Sequence, residues 1–209
     1  MNNRPRLVLA SASPARINLL RAAGIEAEVI VSGVDESTVD SSRADLLSLT
    51  LARMKAQAVA SRLRHGLPRD ATLVLGCDSV LEFGGEILGK PRDAADATAR
   101  WRRMRGGSSV LYTGHCLIEL DSEKRAEATA GTTVHFGDLS DAEIEAYVRS
   151  GEPLHVAGAF TIDGLGGAFV ESIEGDHGNV VGLSLPLLRR LLGELGLAIT
   201  LLWERRLNS

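Results

Sequence analysis

Leu7-Val8-Leu9-Ala10-Ser11-Ala12-Ser13-Pro14-Ala15-Arg16-Ile17 holds the change from strand to helix on which the fold turns. The apolar run 7–10 reads as a buried strand, the serines break it, and Pro14 opens an amphipathic helix. Ser13 suits the N-cap, since its hydroxyl can accept a free amide of the first turn. Pro14 fits the first helical position, where its missing amide would have been unpaired anyway. A strand end, two hydroxyls, a helix N-terminus and Arg16 therefore meet within one turn. Such a corner holds anions, phosphate among them. An ordinary capped helix reads the same way, so this segment alone leaves both open.

Outward from that unit, the first helix covers 14–23 and closes at Gly24, and 27–31 is a second strand. Residues 32–42 form a polar, acidic loop containing Gly33, Asp35, Glu36 and Asp40. From 43 to about 63, Leu46, Leu47, Leu51, Met54 and Val59 recur at helical spacing. Residues 72–83 read as a strand and Gly84-Gly85 as a hairpin turn. Asp93 caps a helix to about 105, and strands 109–120 and 125–136 are joined by Asp121-Ser122-Glu123-Lys124. Ser140 and Glu143 make a capping box for a helix over 141–149, ended by Gly151. Residues 159–162 and 168–173 flank the turn Gly164-Leu165-Gly166-Gly167; a helix over 185–195 and a short strand over 198–203 follow. Interleaved helices and strands with central hairpins predict an α/β fold with a mixed twisted sheet and flanking helices. Without repeats, low-complexity tracts or a convincing linker, residues 1–209 read as one domain.

The 209 residues suffice for a sizeable core, and a formal net charge of -4 fits neither a nucleic-acid-coating surface nor an acidic tail. Cys77 and Cys116 stand in apolar runs without metal-ligand spacing, as buried thiols of a reducing compartment do. The first six residues are polar, the next apolar stretch is too short for a signal peptide, and nothing reaches the length of a membrane span. These features predict a cytoplasmic protein that binds neither membrane nor nucleic acid.

The candidate chemistry sits in a few clusters. Asp78 interrupts the apolar strand Leu75-Gly76-Cys77-Asp78-Ser79-Val80 and needs a donor, a cation or water. It is either a structural aspartate bonded to loop amides or a general base or metal ligand at a cleft. Gly84 and Gly89-Lys90 have P-loop spacing, but Pro91 stands where a magnesium-holding Ser or Thr is required, so that motif is rejected. Lys90 remains as a lysine fixed by a proline, and Lys55 and Glu36 as further charged candidates. Arg100, Arg102, Arg103 and Arg105 gather near a helix C-terminus, where the macrodipole favours cations. The turn at 164–167 lacks a dinucleotide fingerprint, the histidines lack metal-ligand pairing, and no Gly-x-Ser-x-Gly elbow exists.

Taken in order, several pieces resemble the Maf family of nucleoside triphosphate pyrophosphatases. They are Leu9-Ala10-Ser11-Ala12-Ser13-Pro14-Ala15-Arg16, Val34-Asp35-Glu36, Leu51-Ala52-Arg53-Met54-Lys55-Ala56, Gly76-Cys77-Asp78-Ser79-Val80 and Ile87-Leu88-Gly89-Lys90-Pro91. Tyr112-Thr113-Gly114, Gly151-Glu152-Pro153, Ala157-Gly158-Ala159-Phe160, Gly164-Leu165-Gly166-Gly167 and Val180-Val181-Gly182-Leu183 continue the series. The resemblance spans nearly the whole chain. It implies two lobes around a central cleft, hydrolysis of a nucleoside triphosphate to monophosphate and pyrophosphate, a divalent cation (magnesium or manganese) and, in many members, a homodimer. Asp78 matches the family's proton acceptor; Ser11, Arg16, Glu36, Lys55 and Lys90 match its polar cleft residues, with Ser13 beside them. Glu36, with Asp78, would hold the metal, and whether Asp78 is base, ligand or both stays open. Positions that distinguish subfamilies depart here: Ala15 replaces the first of two arginines, Ser79 stands where the pyrimidine subfamily has Thr, and Asp163 replaces its Gln. A carboxylate at 163 leans toward a base with a donor edge, such as guanine, unless it only caps the turn before Gly164. The alternative function is a nucleotide-binding regulator of septum formation without turnover.

Overall fold

The computed structural model describes residues 4–64 and 71–204. Seven strands form one mixed sheet in the order β2-β1-β3-β5-β6-β7, with β4 paired to β3. β1 (Arg6–Leu9) lies parallel to both β2 (Ala27–Val29) and β3 (Thr72–Phe83). β4 (Glu86–Leu88), β5 (Ser108–Glu119), β6 (Arg125–Phe136) and β7 (Val170–Glu174) add antiparallel pairs.

Sheet pleating separates three apolar clusters. On one face, Leu7, Leu9, Leu73 and Leu75 pack with Leu20 of α1 (Pro14–Ala22) and Leu187, Leu188, Leu191 and Leu192 of α6 (Leu185–Glu194). On the other, Val8, Ala10 and Val74 meet Ala52, Ala56, Val59 and Ala60 of α2 (Ala44–Arg64). The helices that follow β1 and β2 thus cover opposite faces, and the carboxyl end of β1 is a topological switch point, where open α/β sheets bind ligands. The third cluster surrounds Trp101 of α3 (Ala94–Met104), with Leu81, Phe136, and Ile144 and Tyr147 of α4 (Asp141–Arg149). Trp101 meets Phe136 and Tyr147 edge-on at 5.4 and 5.5 Å and donates its indole N–H to Ala159 O at 2.8 Å.

Two glycines seat α2 on the sheet. A Cβ at Gly76 would lie 2.1 Å from Ala52 O, and one at Gly114 would lie 2.3 Å from Ser48 O. Both share the face that carries Asp78, because Asp78 pairs with Gly114 and alternates with Gly76. Gly84 and Gly85, with φ of 58° and 84°, make the tight turn expected between β3 and β4.

Several elements differ from the sequence reading. The second strand ends at Val29. Within residues 198–203 lies a 3-10 turn, Ile199–Leu202, held by a bridge from Trp203 to Ile25, by Arg4 donating to Leu202 O and by Leu202 in the core. This mostly apolar stretch packs Leu202 inward without a partner strand among the described residues. The stretch 159–162 is no strand: Ala159 closes a 3-10 turn, Ala157–Ala159, in which Gly158 has φ 71°, and 160–162 are loop. α5 (His177–Val181) went unpredicted, being too short to show a period. Its Asn179 is fully buried, donating to Leu111 O and Thr132 Oγ1 at 3.1 and 3.0 Å.

Candidate active site

On one edge, β3 is paired with β1 as far as Leu75 and with β4 only from Leu81 onward. The stretch between them is a gap in the sheet, and the candidate residues surround it. Neighbouring residues of a strand point to opposite faces, so Asp78 faces the α2 side and Ser79 the α1 side.

On the α2 side, Lys55 Nζ lies 2.5 Å from Asp78 Oδ1 and 2.7 Å from Glu36 Oε1. Glu36 opens a 3-10 turn capped by Asp35, whose carboxylate accepts Ser37 N–H at 3.0 Å. Lys55 and Asp78 are buried at 9% and 7% exposure, whereas Glu36 reaches them from an exposed loop. Burial, the largest influence, pushes the Asp78 pKa above its ordinary 3.8, against the pull of Lys55 and then Arg16, while Glu36 adds to the rise. Asp78 Oδ2 makes no hydrogen bond among the described residues.

On the α1 side, Arg16 is buried and each of its three nitrogens has an acceptor. Nε donates to Gly182 O at 2.7 Å, Nη1 to Ser11 Oγ at 3.0 Å and Nη2 to Ser79 Oγ at 3.0 Å. Thr113 Oγ1 gives its proton to Asn179 O at 3.1 Å, so the 2.9 Å contact between Ser79 and Thr113 is donated by Ser79. Ser11 Oγ accepts both Arg16 and the Ser13 amide, the latter at 3.2 Å, and keeps its own proton to give. Ser13 is the N-cap of α1, accepting Arg16 N–H at 3.5 Å, and Ala15 lies half-buried in the first turn. Behind this group His115 is held between Thr113 O and Ser184 N–H, at 3.0 and 2.9 Å; burial brings its pKa down to about 4.

Lys90 is not drawn into the Lys55 cluster. Leu88 pairs with Leu81, so the chain after β4 returns along β3 toward Ser79 and sets Lys90 at the far border of the gap. Its side chain is exposed and has no ion pair or hydrogen bond among the described residues. Asp163 is likewise exposed and unpaired. It does not cap the following turn: Gly164 holds the cap position without a side-chain bond, and Glu152 takes the amides of Leu165 and Gly166, each at 3.0 Å. The anchoring roles of Gly182, Thr113 and Glu152 escaped the sequence reading. The motif pieces containing them were visible, but a backbone acceptor and a loop clasp leave no spacing to detect.

The arginine run serves structure. Arg100 pairs with Asp96, Arg103 with Glu86, and Arg102 and Arg105 with Asp141. A cavity of about 370 Å³ between α2 and the β5–β6 hairpin, lined by Gln57, Ser61, Arg64, Glu123 and Arg125 among others, shares no residue with the gap. Cys77 and Cys116 are free and buried, and burial raises both thiols to about 12. Among the described residues, no helix is long and apolar enough to cross a membrane.

A crevice at the switch point of the sheet, with a capped helix N-terminus, a buried arginine and a lysine shared by two carboxylates, defines an α/β protein of the kind that binds ligands at the carboxyl ends of its strands. Residues 6–195 match the family model for Maf-like proteins. Relatives called nucleoside triphosphate pyrophosphatase include one from Salinispora tropica, 68% identical over 96% of this chain and 88% of its own length. Another, from Streptomyces avermitilis, is 58% identical over 97% of both chains, and one from Nostoc punctiforme is 50% identical over 96% of this chain and 98% of its own. The chain belongs to the Maf family.

Proposed function

We propose that this chain is a nucleoside triphosphate pyrophosphatase, hydrolysing its substrate to the nucleoside monophosphate and pyrophosphate. The observation that carries this reading is the single ammonium of Lys55 lodged between Asp78 and Glu36 at a gap in the sheet. Water attacks the α-phosphorus, the bond from that phosphorus to the α–β bridging oxygen breaks, and pyrophosphate leaves. Asp78 takes the water's proton. Its raised proton affinity and open Oδ2 suit a general base, whose pKa should approach the working pH. Negative charge moving onto the leaving pyrophosphate meets Arg16, Lys55, Lys90 and the N-terminus of α1. Ser11 has a hydroxyl proton to offer a phosphate oxygen.

A divalent cation fits this donor set, because two carboxylates already converge on one cationic centre. Glu36 and Asp78 would hold magnesium or manganese, which binds through one or two carboxylates with phosphate oxygens and water. Among the described residues no group of three or more His, Cys, Asp or Glu side chains converges. When bound, it neutralises phosphate charge. For the base, the unpaired carboxylate of Asp163 supports a preference for a donor edge such as that of guanine. This reading carries a cytoplasmic homodimer.

Product analysis across a panel of nucleoside triphosphates, with and without divalent metal, tests the proposal. Equal amounts of monophosphate and pyrophosphate, formed only with metal, are expected. Release of the diphosphate and inorganic phosphate, or binding without turnover, would overturn it.

A further inference from the structure

Outside the gap, the most heavily bonded acid is Glu152, which follows α4 by three residues. Oε1 accepts Tyr147 Oη and Gly166 N–H, both at 3.0 Å, and the hydroxyl of Thr161; Oε2 accepts Leu165 N–H at 3.0 Å. Tyr147 Oη, in turn, accepts the Thr161 amide at 3.2 Å. The fit admits no side chain: a Cβ at Gly164 would lie 2.6 Å from Glu152 Oε2, and one at Gly166 would lie 2.4 Å from Tyr147 Oη. Left to itself, a loop containing Gly164, Gly166 and Gly167 would sample many conformations. Here a buried tyrosine, packed edge-on against Trp101 and Phe169, and one carboxylate hold both its ends.

The segment leading into this loop reaches the gap at Gly158, three residues before Thr161. Gly158 donates to Gly89 O at 3.1 Å, and a Cβ on Gly158 would lie 2.4 Å from Leu81, where β3 resumes its pairing. Phosphates are drawn to the side holding Arg16, Lys55 and the α1 N-terminus. On the reading proposed above, the base of a bound nucleotide lies beyond Lys90, toward the loop carrying Asp163.

We infer that Glu152, supported by Tyr147, is a positioning residue that presets loop 161–167 for selection of the nucleobase. The inference rests on the nucleotide-binding part of the function proposed above. Glu152→Gln replaces one of the two acceptor oxygens with an amide that faces either the Leu165 N–H or the donors of Gly166, Tyr147 and Thr161, so the loop loses its fixed form while the phosphate side is untouched.

The test is affinity for α,β-methylene triphosphates carrying guanine, adenine, cytosine or uracil, beside inorganic tripolyphosphate, which has no base. In Glu152→Gln the spread between the tightest and weakest base should shrink by about fivefold or more, with tripolyphosphate affinity held within about twofold. Thr161→Val, which removes one donor and keeps the carboxylate, should shift the spread the same way by less, and decides the matter if Glu152→Gln does not fold. An unchanged spread in folded variants, equal weakening of every ligand including tripolyphosphate, or no base preference in the unsubstituted protein would overturn the inference. These analogues are not hydrolysed. Base-selective binding that Glu152 controls, without pyrophosphate release from ordinary triphosphates, would therefore sink only the pyrophosphatase reading.

Discussion

Asp78, at the gap in the sheet, and Glu152, under the loop 161–167, are two carboxylates whose surroundings push them in opposite directions. Asp78 is buried against a single ammonium, with one oxygen left open, and burial raises its proton affinity. Glu152 also feels burial as an upward push, but Thr161, Leu165, Gly166 and Tyr147 together bring it below its ordinary 4.5. A carboxylate saturated with donors is locked as an anion and serves as a fixed point. One with a single cationic partner and a free oxygen can accept a proton and return it. Deep burial beside one cationic partner suits Asp78 to a base, whereas four donors around a half-buried carboxylate suit Glu152 to a clasp.

That contrast can be broken experimentally. Lys55→Met should have the largest effect, lowering the pyrophosphate release rate by about 10³-fold. Denaturant titration at neutral pH should also find a loss of about 3 kcal/mol, because Asp78 and Glu36 are left without their shared cation. The stability loss should shrink in acid as Asp78 takes up a proton. Gly76→Ala sharpens the account of how the cluster is assembled. Its methyl group pushes α2 off β3, so stability should fall by about 2 kcal/mol and activity with it.

The two acids should also differ in the sign of their pH dependence. Glu152 has a depressed pKa, so its stabilisation is present above 4.5 and is lost as pH falls through the lower folded-state value. Glu152→Gln should therefore cost about 1–2 kcal/mol at pH 7 and less in acid. Asp78 has a raised pKa, so the folded state is disfavoured as pH climbs from 3.8 through the raised value. Asp78→Asn should then be neutral or stabilising at pH 7, the difference fading toward acid. Equal slopes for the two variants, read from urea midpoints across pH, would erase the distinction. The smallest effect belongs to Arg53→Ala at the half-exposed Glu127 pair, expected to cost under about 1 kcal/mol with activity unchanged.

Much of this was legible in the sequence where local chemistry is decisive. The Ser13–Pro14 helix start, the Ser140–Glu143 capping box and the Gly84-Gly85 turn each depend on neighbouring residues and stand as read. Asp78 was conspicuous because a charge in an apolar strand must find a partner. The identity of that partner depends on helix crossing, which Gly76 and Gly114 set through contacts with Ala52 and Ser48 far away in the chain. The 3-10 turn at 199–202 was misread as a strand because a short apolar run reports burial and says nothing of a neighbouring strand. Glu152 was quoted within a motif but given no role, since a side chain that accepts backbone amides from a distant loop has no sequence period.

Pyrophosphate release by Asp78→Asn, followed across pH beside the unsubstituted protein, tests the central claim most directly. The unsubstituted protein should gain activity with rising pH along a limb centred above 3.8. The variant should lose about 10²–10⁴-fold in rate and show no such limb, while still binding nucleotide. A variant that turns over at a near-normal rate with the same acid limb would mean that another group takes the proton.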